Sequence, residues 1–474
     1  MAQTTLSAKD AQFREFSLNG NMLKVIAKVC TPLALFQTFN HFFNILDTLM
    51  ASHISAAAVS TVAYLAQIQL IISAIGQGLA SGSSIKISEA YGAGDYVLVQ
   101  KRLSTLIVIC LCLALCTSLI LPFTPQILQF LGTPETFITL GTTYFNITLI
   151  GTLLSFVNNV YIAIERARGN SKRILRLNMA VIITKISLTA IFIYGFQGGI
   201  TMIAIATVIA QSVMFIFAIR NLTRKNDVFS FALHCVELSK EIVLPLLKIS
   251  FPVMIERISF QFGKSVVNSM STNYGELTVG ALGISNNING IATSSQSGLQ
   301  DGGSAIISQN RGGNKKERTI LAFKHLLIIN MIVGFLFWVI LNLLIESIGF
   351  VFASSTQGVN VEFQQMIVKI FRYDSFGGCL PLGVSSACMA FLFGYGYTKL
   401  TLIINFCRVF VYRIPVLWLL QNFTNLGSES VGIMMAISNI FVAIHGLITV
   451  FVVIRKMKKK EQIDSALRQN EGCF

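Results

Sequence analysis

Charged residues are scarce in this chain. Only 12% of its 474 residues are Asp, Glu, Lys or Arg, against about 25% in a soluble protein. The length would suit about three soluble domains, but that composition excludes them. Proline is sparse as well, with 8 residues, and neither a disordered nor a collagen-like chain looks like this. Nine cysteines are an odd number, and Cys110, Cys112 and Cys116 share one apolar run, where a thiol acts as a small hydrophobe. None has metal-ligand spacing in a polar loop, so all nine read as structural. His41, His53, His234, His325 and His445 are scattered without paired spacing, which gives no metal site, and no Ser/His/Asp or Cys/His set can be assembled. What the chain has in quantity is apolar bulk: 53% hydrophobic residues, 36 of them phenylalanine, and a mean hydropathy of +0.68. This is a polytopic membrane protein.

A hydrocarbon core about 30 Å thick takes about 20 helical residues. Apolar stretches of that length fall near 25–50, 56–81, 103–127, 137–164, 173–196, 199–220, 242–270, 276–301, 321–345, 365–393, 400–422 and 430–454. Twelve helices are expected, because unbroken runs of this length do not alternate as barrel strands do. The first run is also too long for the apolar region of a secretory signal, and Met1–Lys24 is polar, so no cleaved leader is expected.

The cations agree with that count. Of 36 Lys and Arg, 29 lie in the N-terminal segment with Lys28, in the alternate turns around 82–102, 165–176, 220–248, 302–324 and 399, and in the tail from Arg455. The opposite connections contain none. By the positive-inside rule both termini are cytoplasmic. The formal charge of +15 is then topology, with the tail cluster Arg455, Lys456, Lys458, Lys459 and Lys460 suited to anionic headgroups. Nucleic acid is not needed as a partner.

The chain is also written twice. At an offset of 220, Pro32 falls on Pro252, Gly78 on Gly298, Gly82 on Gly302, Ser84 on Ser304, Ile87 on Ile307 and Ser88 on Ser308. With a one-residue gap, Gly94-Asp95 falls on Gly313-Asn314; at an offset of 227, Gly169 meets Gly396, Lys172 meets Lys399 and Asn178 meets Asn405. Six spans per copy give a parallel repeat, two bundles related by a pseudo-two-fold axis along the membrane normal. The expected organisation is a cytoplasmic segment 1–24, an N-lobe 25–220, a linker 221–241, a C-lobe 242–454 and a basic tail 455–474. Two rocking bundles around a shared cavity suit alternating access. The glycine pairs four apart read as close helix packing. The glycines at 92–94 and 312–313 read as turns, since neither copy has the Gly-Lys-Ser/Thr ending of a phosphate loop.

These residues resemble the multidrug and toxin extrusion (MATE) family of the flippase-and-exporter superfamily. The matching pieces are Pro32 with Asp47 fifteen residues on, Gly78 to Gly82 leading to the run Ser88–Asp95, their second copy from Gly298 to Asn314, the run Arg166–Lys172, and Arg413-Ile-Pro415. The resemblance implies twelve helices in two lobes forming a V, with substrate expelled from the cell as protons or sodium ions flow inward. It also implies that Asp47, with Asn44 and Asn40 one and two turns below it, is the N-lobe carboxylate that carries the coupling ion. On the fifth span the chain departs from the family pattern of Asn followed by Asp: Lys185 and Thr189 stand there. An ammonium should repel sodium, which favours proton coupling. A buried lysine also calls for a partner, and Asp47 is the expected one; the bland alternative is that Lys185 snorkels or meets backbone carbonyls.

Intramembrane charges are costly and so mark function. Arg257 and Lys264 lie on span seven, Lys369, Arg372 and Asp374 on span ten, and Arg408 and Arg413 on span eleven. They give a positive second lobe and raise anionic or zwitterionic substrates as an alternative, unless they hold helix ends or lipid phosphate. Glu256 reads as an interface residue near the cytoplasmic end. Asn146, Asn158, Asn159, Asn178 and Gln211 either line the first lobe or bridge its helices. The function expected is secondary active export of small organic compounds across the plasma membrane by a monomer in contact with lipid, with no cofactor beyond the coupling ion. A lipid-linked precursor flippase of the same superfamily is the nearest rival. A membrane enzyme lacks a catalytic set, and a channel lacks a filter-like loop.

Overall fold

The computed structural model describes the backbone of the chain outside residues 1–5, 52–55, 131–132, 134, 225–226, 356–357 and 472–474. Side chains at 44, 46–51, 56–64, 67, 136, 140, 355, 358, 461 and 464–471 also lie outside the description. It is an all-α membrane protein. The first half comprises α1 (Ala8–Asn19), α2 (Met22–Ala51), α3 (Ala56–Ala93), α4 (Tyr96–Ser118) with α5 (Thr124–Phe130) extending it, α6 (Glu135–Ala167), α7 (Ser171–Ala190) and α8 (Ile200–Leu222). The second comprises α9 (Lys240–Ser271), α10 (Glu276–Gly312), α11 (Lys316–Ala353), α12 (Val361–Gly394), α13 (Thr398–Phe410) with α14 (Ile414–Phe423) extending it, and α15 (Glu429–Glu471).

Each of the twelve apolar runs therefore holds a helix or a broken pair. Among the described residues ten helices are long and apolar enough to cross a membrane. Helices α9 and α10 fall short of that criterion because their polar residues are turned toward other protein. Several helices outrun their apolar stretches. The second span was expected to stop at 81 and the eighth at 301, yet α3 continues to Ala93 and α10 to Gly312. Their last turns are paved with buried Ser83, Ser84, Ser88, Ser304, Ser308, Gln309 and Asn310; of these Ser83, Ser308, Gln309 and Asn310 bond to other helices instead of meeting lipid.

The backbone corrects the alignment of the two copies. Gly94 has φ +84° and Asn314 φ +56°, and α4 and α11 begin two residues after them. The offset of 220 thus runs on without a gap, with Asn314 filling in the second copy the left-handed position that glycine fills in the first. Further on, Gly169 (φ +76°) and Gly396 (φ +74°) keep the offset of 227. Gly92 and Gly312, expected in turns, still belong to regular helix, Gly92 next to the end of α3 and Gly312 at the end of α10.

The two halves meet through α2 against α10 and α3 against α9, with α3 also against α10. The glycine pairs make these seams. A Cβ at Gly298 would come 2.5 Å from Cα of Ala34, and one at Gly302 would come 3.0 Å from Cα of Cys30. A Cβ at Gly78 would come 2.7 Å from Cα of Met254, and one at Gly82 would come 2.5 Å from Cα of Ser250. The offset that separates Gly78 from Gly298 also separates Ala34 from Met254 and Cys30 from Ser250. The same seam is therefore built twice. Lower down, a side chain on Gly92 would overlap the carbonyl of Gln309, and one on Gly312 that of Glu89, again the same pair at the same offset.

The N-terminal segment and the linker are packed against both helical halves and the first half respectively. The N-terminal helix α1 lies across the basic end of both halves. Arg14 donates to the carbonyls of Tyr91 (2.9 Å) and Gly92 (2.8 Å), and Ser17 donates to Gln309 (2.5 Å). From the other side Arg318 donates to the Gly20 carbonyl at 2.8 Å. The linker buries Val228 and Phe229 and places Asp227 3.1 Å from Arg168. The eight described cysteines are unpaired; Cys473 lies outside the described residues.

Candidate functional site

Between the halves lies a cavity of about 310 Å3. From the first half α3 gives it Gln77, Ser81 and Ile85, and α6 gives Arg166; from the second come Glu256, Arg257 and Phe260 on α9, Gln300 and Asp301 on α10, and Asn405 and Arg408 on α13. The wall is polar because α9 and α10, which supply much of it, are absent from the ten helices apolar enough to cross a membrane. Arg257 crosses the seam and donates to Gln77 Oε1 at 3.0 Å. Arg166 and Asp301 pair across it at 3.2 Å, forming a floor toward the basic end. Below that floor Ser308 donates to the Ile85 carbonyl at 2.7 Å and Gln309 to the Ala167 carbonyl at 2.7 Å.

Glu256 was expected at an interface near the helix end. It sits sixteen residues beyond Lys240, half-way along α9, and lines the cavity. Thr401 donates to Oε2 at 2.9 Å and Asn405 to Oε1 at 2.8 Å. A mid-span carboxylate held by two neutral donors is available to take up a cation or a proton.

A second chamber, of about 270 Å3, opens mainly within the second half, with His41 of α2 on its wall, and shares Phe260, Thr293, Leu382 and Arg408 with the first. It gathers Lys264, Asp374, Arg408 and Arg413, four of the residues singled out by their charge. Asp374 is buried; Asn289 donates to its Oδ2 at 2.7 Å and Ser285 at 3.3 Å. Arg408 and Arg413 both donate to Oδ1 of Asn439, at 2.9 and 3.1 Å, and Arg413 donates to Ser438 at 3.0 Å. Arg413 stands where the eleventh span breaks between α13 and α14, and the break turns its guanidinium inward. Two other expected cavity cations lie elsewhere: Lys369 pairs with Glu429 at 3.3 Å and Arg372 with Glu346 at 2.7 Å, both in exposed positions.

Two expected cavity residues of the first half bridge helices instead. Asn158 on α6 donates to the side chain and the carbonyl of Gln211 on α8, at 2.9 and 3.0 Å, and neither residue lines either space. Asn146 likewise accepts from Thr124 at 2.6 Å. Asn178 is buried, and its side-chain NH2 donates to the Ile174 carbonyl of its own helix at 2.8 Å. Asn40 and Lys185 are half-buried on α2 and α7, and Thr189 is fully buried. The side chains of Asp47 and Asn44 lie outside the described residues.

Sequence reading missed Asp301 and its partner Arg166. The span was ended at 301, which put the acid at a helix end, whereas it stands eleven residues inside α10.

The MatE family model matches residues 32–191 and again residues 252–419, one match for each copy of the repeat. The chain belongs to the MatE family. It is a multi-pass membrane transporter, not an enzyme. Among relatives of this MATE protein, "Probable multidrug resistance protein YoeA" of Bacillus subtilis (strain 168) is 24% identical over 357 residues, 74% of this chain and 76% of that one. "Multidrug export protein MepA" of Staphylococcus saprophyticus is 26% identical over 281 residues, 58% of this chain and 62% of that one. A solved structure described as the outward-facing conformation of a multidrug resistance MATE family transporter of the MOP superfamily has the same fold. Its TM-score is 0.89 at 20% identity, over 96% of this chain and 100% of that one.

Proposed function

We propose that this MATE protein is a secondary active exporter of small organic compounds, working by alternating access in the plasma membrane with both termini in the cytoplasm. The observation that carries the reading is a polar cavity walled by both halves and bounded by a seam built twice from equivalent residues. Such a seam lets two similar bundles tilt against each other, as a transporter with parallel repeats requires. The described contacts between the halves close the cavity toward the basic end, which supports an outward-facing arrangement. The relatives called multidrug export and resistance proteins support export as the direction.

Coupling to protons, through Asp47 and its expected partner Lys185, remains the favoured arrangement, since an ammonium on α7 opposes a sodium site. Glu256 supplies a second carboxylate, in the cavity itself. Gradient-driven transport in proteoliposomes, measured separately with ethidium and with 5-carboxyfluorescein, tests the set. Asp47→Asn is expected to abolish the response to an imposed pH gradient, and Lys185→Asn to weaken it. Glu256→Gln is expected to cut the rate about tenfold or more, since truncating a buried hydrogen-bonded charge costs about 1.5–3 kcal/mol. Unchanged gradient-driven transport in Asp47→Asn would refute its role, and dependence on sodium in the unmodified protein would refute proton coupling.

A further inference from the structure

From the arrangement of its cations we infer that the chamber within the second half is a binding subsite for an organic anion, the place where an exported compound sets down a carboxylate or phosphate group. The inference rests on the exporter reading for its use, but the site is defined by its own geometry.

The argument starts from charge. Lys264, Arg408 and Arg413 all face the chamber, and Asp374 is its one acid. That acid is served at one oxygen: its Oδ2 takes hydrogen bonds from Asn289 and Ser285, its Oδ1 is buried without a hydrogen-bond partner, and among the described residues no cation stands within 4.0 Å of it. The arginines are left with neutral partners. Both guanidinium groups converge on one amide oxygen, Oδ1 of Asn439, and both lie over the ring of Phe260, 5.2 and 5.8 Å from its centroid. Two like charges drawn onto one neutral acceptor repel each other, and an incoming anion relieves that repulsion. The Nε–H of Arg408 is buried with no acceptor. Lys264, on the facing wall, has no hydrogen-bond or ion-pair partner among the described residues.

Such donors are what a carboxylate or phosphate needs. An arginine fork binds either group in two-pronged fashion, and a lysine adds a point charge. A cation would meet three positive groups and a single acid, one of whose oxygens two neutral donors already occupy. The chamber joins the central cavity at Phe260, Thr293, Leu382 and Arg408, so an anionic head can rest in it while the body of the same molecule fills the larger space beside Glu256. The charge of the chamber thus defines a substrate class: compounds with at least one acidic group, zwitterions included.

A pair of dyes with the same ring system and opposite charge tests the assignment. Binding of 5-carboxyfluorescein and of rhodamine 6G to the purified full chain in phosphatidylcholine nanodiscs is read by fluorescence anisotropy. The unmodified protein is expected to bind carboxyfluorescein. Lys264→Gln and Arg408→Gln are each expected to weaken that binding about tenfold, the usual scale for a charged hydrogen bond, with rhodamine binding unchanged or tighter. Lys264→Gln leaves no buried partner unsatisfied, so it keeps the test valid if Arg408→Gln misfolds. Carboxyfluorescein affinity that is equal in a folded Lys264→Gln and the unmodified protein, or binding of rhodamine alone, would overturn the inference. Binding that survives in phosphatidylcholine but is lost in phosphatidylglycerol would assign the chamber to a lipid headgroup and overturn it too. Because no gradient is imposed, a protein that binds the anion but transports neither dye would sink the exporter reading and leave the subsite standing.

Discussion

Gly312→Ala is expected to raise the rate at which N-ethylmaleimide labels Cys30 by about tenfold or more, and Gly92→Ala to do the same. Each added methyl would overlap a backbone carbonyl of the opposite half, Glu89 for Gly312 and Gln309 for Gly92. A flexible side chain could swing aside; a carbonyl inside a helix cannot. Overpacking of this kind costs about 1–3 kcal/mol, and it acts on the closed arrangement alone because the two carbonyls are near only when the basic end is shut. A cost of about 1.4 kcal/mol is a tenfold change in the balance between closed and open forms. Cys30 is the right reporter, being fully buried beneath Gly302 in the seam between α2 and α10. Peptide mass spectrometry would locate the label among the nine cysteines. Labelling of Cys30 that stays at the unmodified rate in both folded variants would mean that the glycines do not set the closure.

Arg168→Ala is expected to be the most damaging substitution outside the membrane. Its guanidinium reaches Asp10 on α1 at 2.7 Å, Asp227 in the linker at 3.1 Å and Glu165 at the end of α6 at 3.5 Å. Burial works against the charge on Arg168, but the hydrogen bond to Asp10 and the charges of Glu165, Asp10 and Asp227 outweigh it and raise its pKa. Removing it leaves Asp10 and Asp227 without their cation, while Glu165 keeps Arg173 at 3.3 Å and Asn170 at 2.7 Å. Breaking a buried pair by deleting one partner costs about 3–5 kcal/mol, and α1 loses its ion pair to the first half, keeping the Arg14 hydrogen bonds to Tyr91 and Gly92. The temperature of half-loss of the monodisperse peak in detergent is expected to fall by about 5–10 °C. Limited proteolysis should then cut within the first twenty residues. Unaltered thermal behaviour together with an intact N-terminus would show that the cluster is not needed. Arg168→Lys, which keeps the charge and loses the fork, should fall between the two.

The helices and the repeat were legible in the sequence, because lipid imposes a run of about 20 apolar residues and a duplicated chain carries the offset of 220 in its glycines and prolines. The seam was half legible. Gly78, Gly82, Gly298 and Gly302 were recognisable as close-packing residues, but nothing local says which helix they approach. That needs the offset to be applied to the partners, Ala34 with Met254 and Cys30 with Ser250, as well. The lengths of α3 and α10 were hidden because hydropathy reads a serine-rich interface as a loop. The same blindness put Asp301 at a span end, whereas the expected span 242–270 already held Glu256 near its middle. Asn158 and Gln211 could not be sorted from cavity lining, since an amide that bridges α6 and α8 has the same sequence signature as one that faces water. The cations of the second half were all visible, but only the structure separates Arg408 and Arg413, drawn to one amide, from Lys369 and Arg372, each with its own acid.

The doubling of the seam has a mechanical consequence. Equivalent knuckles lie on either side of the pseudo-dyad, so a tilt that strains one strains its twin equally, and neither can act as a fixed pivot while the other gives way. Parting therefore costs the sum of both contacts at one moment. A transporter jointed like this has no comfortable halfway posture, and that suits a device whose leak is any state open at both ends.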